Sequence, residues 1–153
     1  MGKEKYIVCN ADEGEPGTYK DKALLEQDPL AIIEGMTIAG RLFDARQGYI
    51  YIRGEYRQVH ERFSQALENA RKAQFLGQSI MGIPGFDFEI KIISGAGAYV
   101  CGENSALLNS IEGKTGRPRV KPPHLADVGL YGQPTLVNNV ESFAGIPVIL
   151  REG

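Results

Sequence analysis

The 153-residue sequence has no tryptophan, two cysteines, two histidines and no long apolar run. Each scarcity removes a class of protein. No stretch approaches the ~18 consecutive apolar residues that a bilayer-spanning helix needs. Residues 1–15 carry acidic groups where a secretory leader would carry an apolar block. The sequence therefore reads as a cytoplasmic protein with no direct membrane insertion. Cys9 and Cys101 stand far apart, with no C-x-x-C and only His60 and His124 to help. That excludes a metal centre held by this chain alone, whether zinc or an iron–sulfur cluster, and without a secretory context a structural disulfide is not expected. Charge of one sign is lacking too: 17 Lys and Arg against 19 Asp and Glu give a net charge of −2. Such a balance leaves no broad electrostatic footprint for nucleic acid, so any phosphate is bound locally.

What is present is a chain of ordinary domain size, with 42% hydrophobic and 24% charged residues, enough to bury one core. Glycine is over-represented: 19 residues, where about 7% is usual. The glycines cluster beside polar residues, as they do in loops whose backbone approaches a ligand.

Tyr6-Ile7-Val8-Cys9 is a short β-branched run followed at once by Asn10-Ala11-Asp12-Glu13-Gly14-Glu15-Pro16-Gly17, the pattern of a buried strand opening into a long polar loop. Asp28-Pro29 supplies an N-cap and a first-turn proline, and Ile32, Met36, Ala39 and Phe43 recur at helical spacing. Tyr49-Ile50-Tyr51-Ile52 predicts a second strand. Residues 55–75 predict a helix with Val59, Phe63, Ala66, Ala70 and Ala73 on its apolar stripe and His60 on its exposed face. Phe86, Phe88, Ile90 and Ile92 alternate with polar residues, predicting a third strand near a sheet edge. Helices are expected over residues 103–111 and from about residue 139 onward, with an irregular stretch at 113–135. The expected fold class is α/β: a layered, Rossmann-like domain with a mostly parallel sheet. In such sheets ligands sit beyond the carboxyl ends of the strands.

Four constellations carry chemistry. Asn10, Asp12, Glu13 and Glu15 crowd a strand exit where Gly14 forces a turn; the stretch is either a solvated acidic loop or an acceptor set for a ligand's hydroxyls or a cation, though no histidine or partner carboxylate at obvious spacing supports magnesium. Gly95-Ala96-Gly97-Ala98-Tyr99-Val100-Cys101-Gly102-Glu103 begins like a dinucleotide fingerprint, but Val100 stands where the last glycine belongs, so that motif fails. A plain glycine-rich turn and a backbone approach to a ring or phosphate both remain open. Gly113-Lys114-Thr115 lacks the leading glycine of a nucleoside triphosphatase loop. The nearby Lys114, Arg117, Arg119 and Lys121 form either a solvated loop or a phosphate or partner contact. Asn138-Asn139 places two amides before a helix, one more than an N-cap requires.

Taken together, Cys9 to Gly17, Gly95 to Glu103, Pro118-Arg119-Val120-Lys121-Pro122-Pro123 and Val137-Asn138-Asn139-Val140-Glu141 resemble the FMN-binding domain of the NADH-oxidising flavoprotein subunit of respiratory complex I. The same domain occurs in NAD-linked hydrogenases and formate dehydrogenases. The resemblance spans nearly the whole chain and implies FMN as cofactor and NAD(P)H as the small-molecule dinucleotide substrate. By motif it implies flavin contacts from Asn10, Asp12, Glu13 and Gly14, with Glu15 near the ring and the nicotinamide. Gly97, Tyr99, Gly102 and Glu103 would flank flavin and nicotinamide, and Asn138 and Asn139 would bind the ribityl-phosphate end. Glu15 and Glu103 are the expected catalytic pair, while the flavin carries the redox chemistry.

Two residues depart from the family pattern. Asn104 stands where the family has a second Glu at the adenosine ribose, and His124 where it has a Phe stacked on adenine. Loss of that carboxylate removes repulsion toward a 2′-phosphate, so NADPH is expected to be better tolerated than by typical relatives. The resemblance further implies a parent subunit with an upstream glycine-rich loop and downstream β-rich and [4Fe–4S] domains, of which residues 1–153 are the central part of the FMN domain. Its partners would be a thioredoxin-like [2Fe–2S] subunit and other subunits of an electron-transfer complex, placed on the inner face of a membrane. By this reading the isolated chain is inactive. A non-catalytic assembly or nucleotide-sensing module is the alternative; an RNA-binding module is disfavoured by the net negative charge.

Overall fold

The polypeptide is described by a computed structural model over residues 2–153. Its first strand, β1 (Tyr6–Ala11), is almost wholly buried, and Ile7, Val8, Cys9 and Ala11 have no exposed surface. Burial on both faces is what a central parallel strand demands, and it explains the unbroken apolar run. Two helices follow, α1 (Lys20–Gln27) and α2 (Pro29–Phe43). Asp28 caps α2 by accepting from the Ala31 amide at 3.2 Å, with Pro29 at the first helical position. Ile32, Met36 and Ala39 face the core as their spacing predicts, whereas Phe43 at the helix end is half exposed.

β2 (Gln47–Arg53), α3 (Arg57–Lys72) and β3 (Glu89–Gly95) come next. The α3 stripe of Val59, Phe63, Ala66 and Ala70 is buried, with Leu67 added, while Ala73 lies past the helix end and is exposed. Each fully buried Ile or Phe contributes about 1.5–3 kcal/mol. His60 departs from expectation. It is half-buried, and its Nε2 lies 3.0 Å from the Arg53 carbonyl because α3 starts immediately beyond β2 and turns back over it. The third strand also starts later than its alternation suggests. Phe88 pairs with Gly77 in an isolated antiparallel bridge, and regular pairing with β2 begins only at Glu89.

The chain then passes through a short 3-10 turn at Tyr99–Gly102 into α4 (Asn104–Ile111). It ends with β4 (Thr135–Asn139) and α5 (Val140–Glu152). α1 and β4 are not anticipated by the sequence pattern. The four strands are all parallel in the order β3-β2-β1-β4. α1, α2, α3 and α5 cover one face around Ile7, Cys9, Ile50, Ile52 and Ile90. α4 covers the other, with Val8, Tyr51, Leu107 and Leu108 between. The chain steps outward from β1 to β3, then returns past its starting point to β4. The direction of winding therefore reverses between β1 and β4, the position at which doubly wound sheets open a crevice.

Residues 113–134 contain no α-helix or strand but are not loose. Arg119 donates to the Asn109 side chain, the Glu112 carboxylate and the Gly129 carbonyl, each at 2.8 Å, and its own amide donates to Ser105 Oγ at 2.8 Å. Glu112 also accepts from Lys114 Nζ and the Tyr131 amide. Burial pushes its carboxyl up, but Lys114, Arg119 and the Tyr131 amide together hold it below the usual value. Two of the four basic residues in this stretch are thus tied to one acid just beyond α4. No helix among the described residues is long and apolar enough to cross a membrane.

Candidate functional site

At the carboxyl ends of β1 and β4 a hollow of about 500 Å³ opens, within the range of small-molecule sites. It is lined by Asp12–Glu15, Thr18, Lys20, Asp21, Tyr99, Val100, Gly102, Glu103 and Asn139. Five of these carry carboxylates and one, Lys20, an ammonium.

Asn10 lies beneath the hollow, buried, and sets its shape. Its Nδ2 donates to the Gly102 carbonyl and to Asn104 Oδ1, both at 2.9 Å, and its Oδ1 accepts from the Asp12 amide at 3.1 Å. One side-chain amide thus locks the loop after β1 to the turn before α4. Asp12 follows with a side chain only 3% exposed, and its Oδ2 has no hydrogen-bond partner. Burial pushes its carboxyl above the ordinary value, Arg53 at 4.0 Å pulls it back and Glu55 pushes it up.

Glu13 turns the other way. Its carboxylate accepts from the Asp21 amide at 2.8 Å and more distantly from the Lys22 amide, serving as the cap that α1 lacks in its own sequence neighbourhood. A Cβ at Gly14 would lie 2.9 Å from the Tyr99 ring, so glycine lets that ring lie close against the loop. The exposed Tyr99 donates its hydroxyl to Glu15 Oε2 at 2.9 Å. That hydrogen bond and the Glu15 charge push the phenol above its usual value.

Glu103 caps α4, accepting from Ser105 Oγ at 2.5 Å and the Ala106 amide at 2.9 Å, with Lys121 Nζ at 3.4 Å from its other oxygen. Burial opposes the charge, but these donors prevail and the carboxyl is held below its usual value. At neutral pH Glu103 is an acceptor and not a proton donor. Across the hollow Asn139 caps α5 by accepting from the Glu141 amide, and donates to Asp21 at 2.8 Å. Lys20 bridges Asp21 at 2.6 Å and Asn139 at 2.9 Å, with Glu141 at 3.4 Å. Burial disfavours its charge, yet the two acids outweigh that and raise its pKa.

Of the residues singled out from sequence, Asp12, Glu13, Gly14, Glu15, Tyr99, Gly102, Glu103 and Asn139 share this hollow. Asn10 and Asn104, bonded to each other, do not line it but join its neighbouring segments. Asn138, opposite Cys9 in the sheet register, is half-buried in β4 and does not line it. Gly97 adopts a left-handed φ of +81° outside it, where a Cβ would meet Glu55 Oε1 at 2.9 Å. His124 is exposed in the 113–134 stretch, its carbonyl accepting from the Asp127 and Val128 amides. Sequence reasoning missed Lys20, Asp21 and Arg53. A lysine just past an acidic loop was the available signal for the first; nothing local marked Arg53.

A parallel, doubly wound sheet with an acceptor-rich recess at its point of reversal defines a ligand-binding α/β domain. More particularly, the chain belongs to the Nuo51 FMN-binding domain family, whose model matches residues 1–148. It is 51% identical over 149 residues to an NADH-quinone oxidoreductase subunit of Aquifex aeolicus, covering 97% of this chain and 35% of that protein. It is 50% identical over 151 residues to the alpha subunit of the NAD-reducing hydrogenase HoxS of Cupriavidus necator, covering 99% and 25%. A solved NAD+-reducing [NiFe]-hydrogenase in the H2-reduced state superposes with a TM-score of 0.88 at 43% identity, over 98% of this chain and 25% of that one. The chain thus spans about a third or less of the length of these relatives.

Proposed function

We propose that this chain is the FMN-holding part of an NADH-oxidising flavoprotein subunit. One observation carries the reading: three segments distant in sequence, containing Asp12, Tyr99 with Glu103, and Asn139, converge on one recess where the sheet reverses its winding. The residues present fit the cofactor. The recess has a buried carboxylate oxygen without a donor, Asp12 Oδ2, which a ligand hydroxyl would satisfy. Gly14 and Gly102 leave its wall without side chains, so a planar ring could approach backbone.

Asp12 and Glu103 would accept from the polar edge and hydroxyls of FMN, Asn10 and Asn104 would hold the neighbouring segments together, and Asn139 with Lys20 would face the anionic end of the cofactor. Tyr99 and Glu15 would order the mouth where NADH enters. When bound, FMN supplies the exchange between two-electron input from the nicotinamide and single-electron output. The protein's contribution is orientation, fixed hydrogen-bond acceptors and a pinned loop geometry. Output is proposed to run to a [4Fe–4S] cluster elsewhere in the parent subunit and to a thioredoxin-like [2Fe–2S] partner, within a complex associated with a membrane.

The test is an FMN titration of the full-length polypeptide followed by flavin fluorescence. Saturable quenching at one FMN per polypeptide is expected, weakened at least tenfold by Asp12→Ala. Absence of saturable quenching would overturn the reading.

A further inference from the structure

Arg53, the last residue of β2, touches two of the loops that gather at the carboxyl edge of the sheet and reaches a third through Glu55. Its Nη1 donates to the Glu13 carbonyl at 2.8 Å. Its Nε and Nη2 grip the two oxygens of Glu55 at 3.1 and 3.2 Å. Glu55 in turn is seated against Gly97 of the loop after β3, where any Cβ would come within 2.9 Å of its Oε1. The same Nε lies 4.0 Å from Asp12 Oδ1, beside the carboxylate whose second oxygen is buried and unpartnered.

We propose that Arg53 is a positioning residue of the site: it fixes the Asp12–Glu15 loop through the Glu13 carbonyl and keeps Asp12 charged, with a free acceptor oxygen for a bound ligand. The inference rests on the functional reading above for the identity of that ligand, FMN, but not for the state of Asp12. The chemistry calls for arginine. A planar guanidinium can hold a carbonyl on one nitrogen and a carboxylate fork on the other two at once, whereas an ammonium acts as a single point charge. The groups facing Asp12 are Arg53, Glu55 and the Tyr51 phenol of β2. Arg53 is the only one among them that favours the ionised acid. Removing it leaves burial and Glu55 unopposed, so Asp12 takes up its proton at higher pH and loses acceptor capacity there.

The experiment follows the Asp12 carboxyl by 13C NMR across the acidic range in the full chain, with FMN affinity measured at each pH. In Arg53→Gln the Asp12 transition is expected to move up by about one pH unit, and FMN affinity to decline from a correspondingly higher pH. Arg53→Lys is expected to restore the transition but not the affinity, since charge returns without the fork. Glu55→Gln removes the opposing carboxylate and keeps the cation, so its Asp12 transition is expected to move down. This variant and Arg53→Lys decide the matter if Arg53→Gln does not fold. An Asp12 transition that ignores both Arg53→Gln and Glu55→Gln would overturn the proposal, even if FMN affinity dropped. Unaltered protein with no FMN affinity would overturn the flavin reading alone, while the carboxyl titration would still decide the role of Arg53.

Discussion

At the scale of single residues, the hollow pairs every lining acid but Asp12 with a hydrogen-bond donor. Tyr99 and Glu15 form the pair nearest solvent, and the phenol titrates above its usual value because the Glu15 oxygen accepts its proton at 2.9 Å. Raising the pH through the Tyr99 transition therefore breaks this contact and adds a second negative charge beside Glu15. Ultraviolet titration near 295 nm should show one tyrosine whose transition falls back toward pH ~10 in Glu15→Gln; an unchanged spectrum would remove the pair from the mouth of the site. Much of this was legible in the residues themselves. Gly14, Tyr99 and Glu103 announced themselves through glycine-rich loops with polar neighbours, a local pattern. Arg53 did not, because a single arginine at a strand end acquires meaning only when Glu13, Glu55 and Asp12 fold around it.

At the scale of elements, the missed pieces share a physical cause: their support comes from far along the chain. α1 has no side-chain cap from its neighbours and little apolar surface beyond Leu24 and Leu25, and its amino end is satisfied by Glu13. Replacing Glu13 with Ala should cost about 1–2 kcal/mol in urea unfolding and speed hydrogen exchange at the Asp21 and Lys22 amides. β4 is five residues with two asparagines, and the strand it pairs with, β1, lies more than a hundred residues away. By contrast β1, β2, α2 and α3 were legible because periodicity and caps are contained within each segment. Gly35 illustrates a requirement visible only after packing. It lies in α2 where that helix crosses α5, so that a Cβ would collide with the Phe143 carbonyl oxygen. Backbone cannot yield as a flexible side chain does, so Gly35→Ala should destabilise by about 1–3 kcal/mol in chemical unfolding, a loss that Gly145→Ala, in open space on α5, should not show.

At the scale of the whole molecule, a reversal of winding places the ends of β1 and β4 side by side, and the hollow opens at that place. The α/β class and the strand-exit location were legible from alternating elements and glycine-rich loops. The reversal itself was not, since it depends on where β4 inserts. Cofactor choice belongs to this scale too. Asn104 bonds Asn10 and adds no carboxylate beside the recess, so the full-length protein should oxidise NADPH at more than a hundredth of its NADH rate, measured as kcat/KM for each. A smaller ratio would return discrimination to other groups. The strapping of residues 113–134 by Arg119 has a consequence of another kind. Trypsin must draw a basic side chain into its acidic specificity pocket, and it does not cut before proline. Arg117 and Lys121 are each followed by proline, and the Arg119 guanidinium is already engaged by Asn109, Glu112 and Gly129. This long irregular segment should therefore survive digestion with a single nick after Lys114, and Glu112→Ala should expose a second one after Arg119, turning a stretch that resembles a loose tether into a gauge of how firmly α4 is clasped.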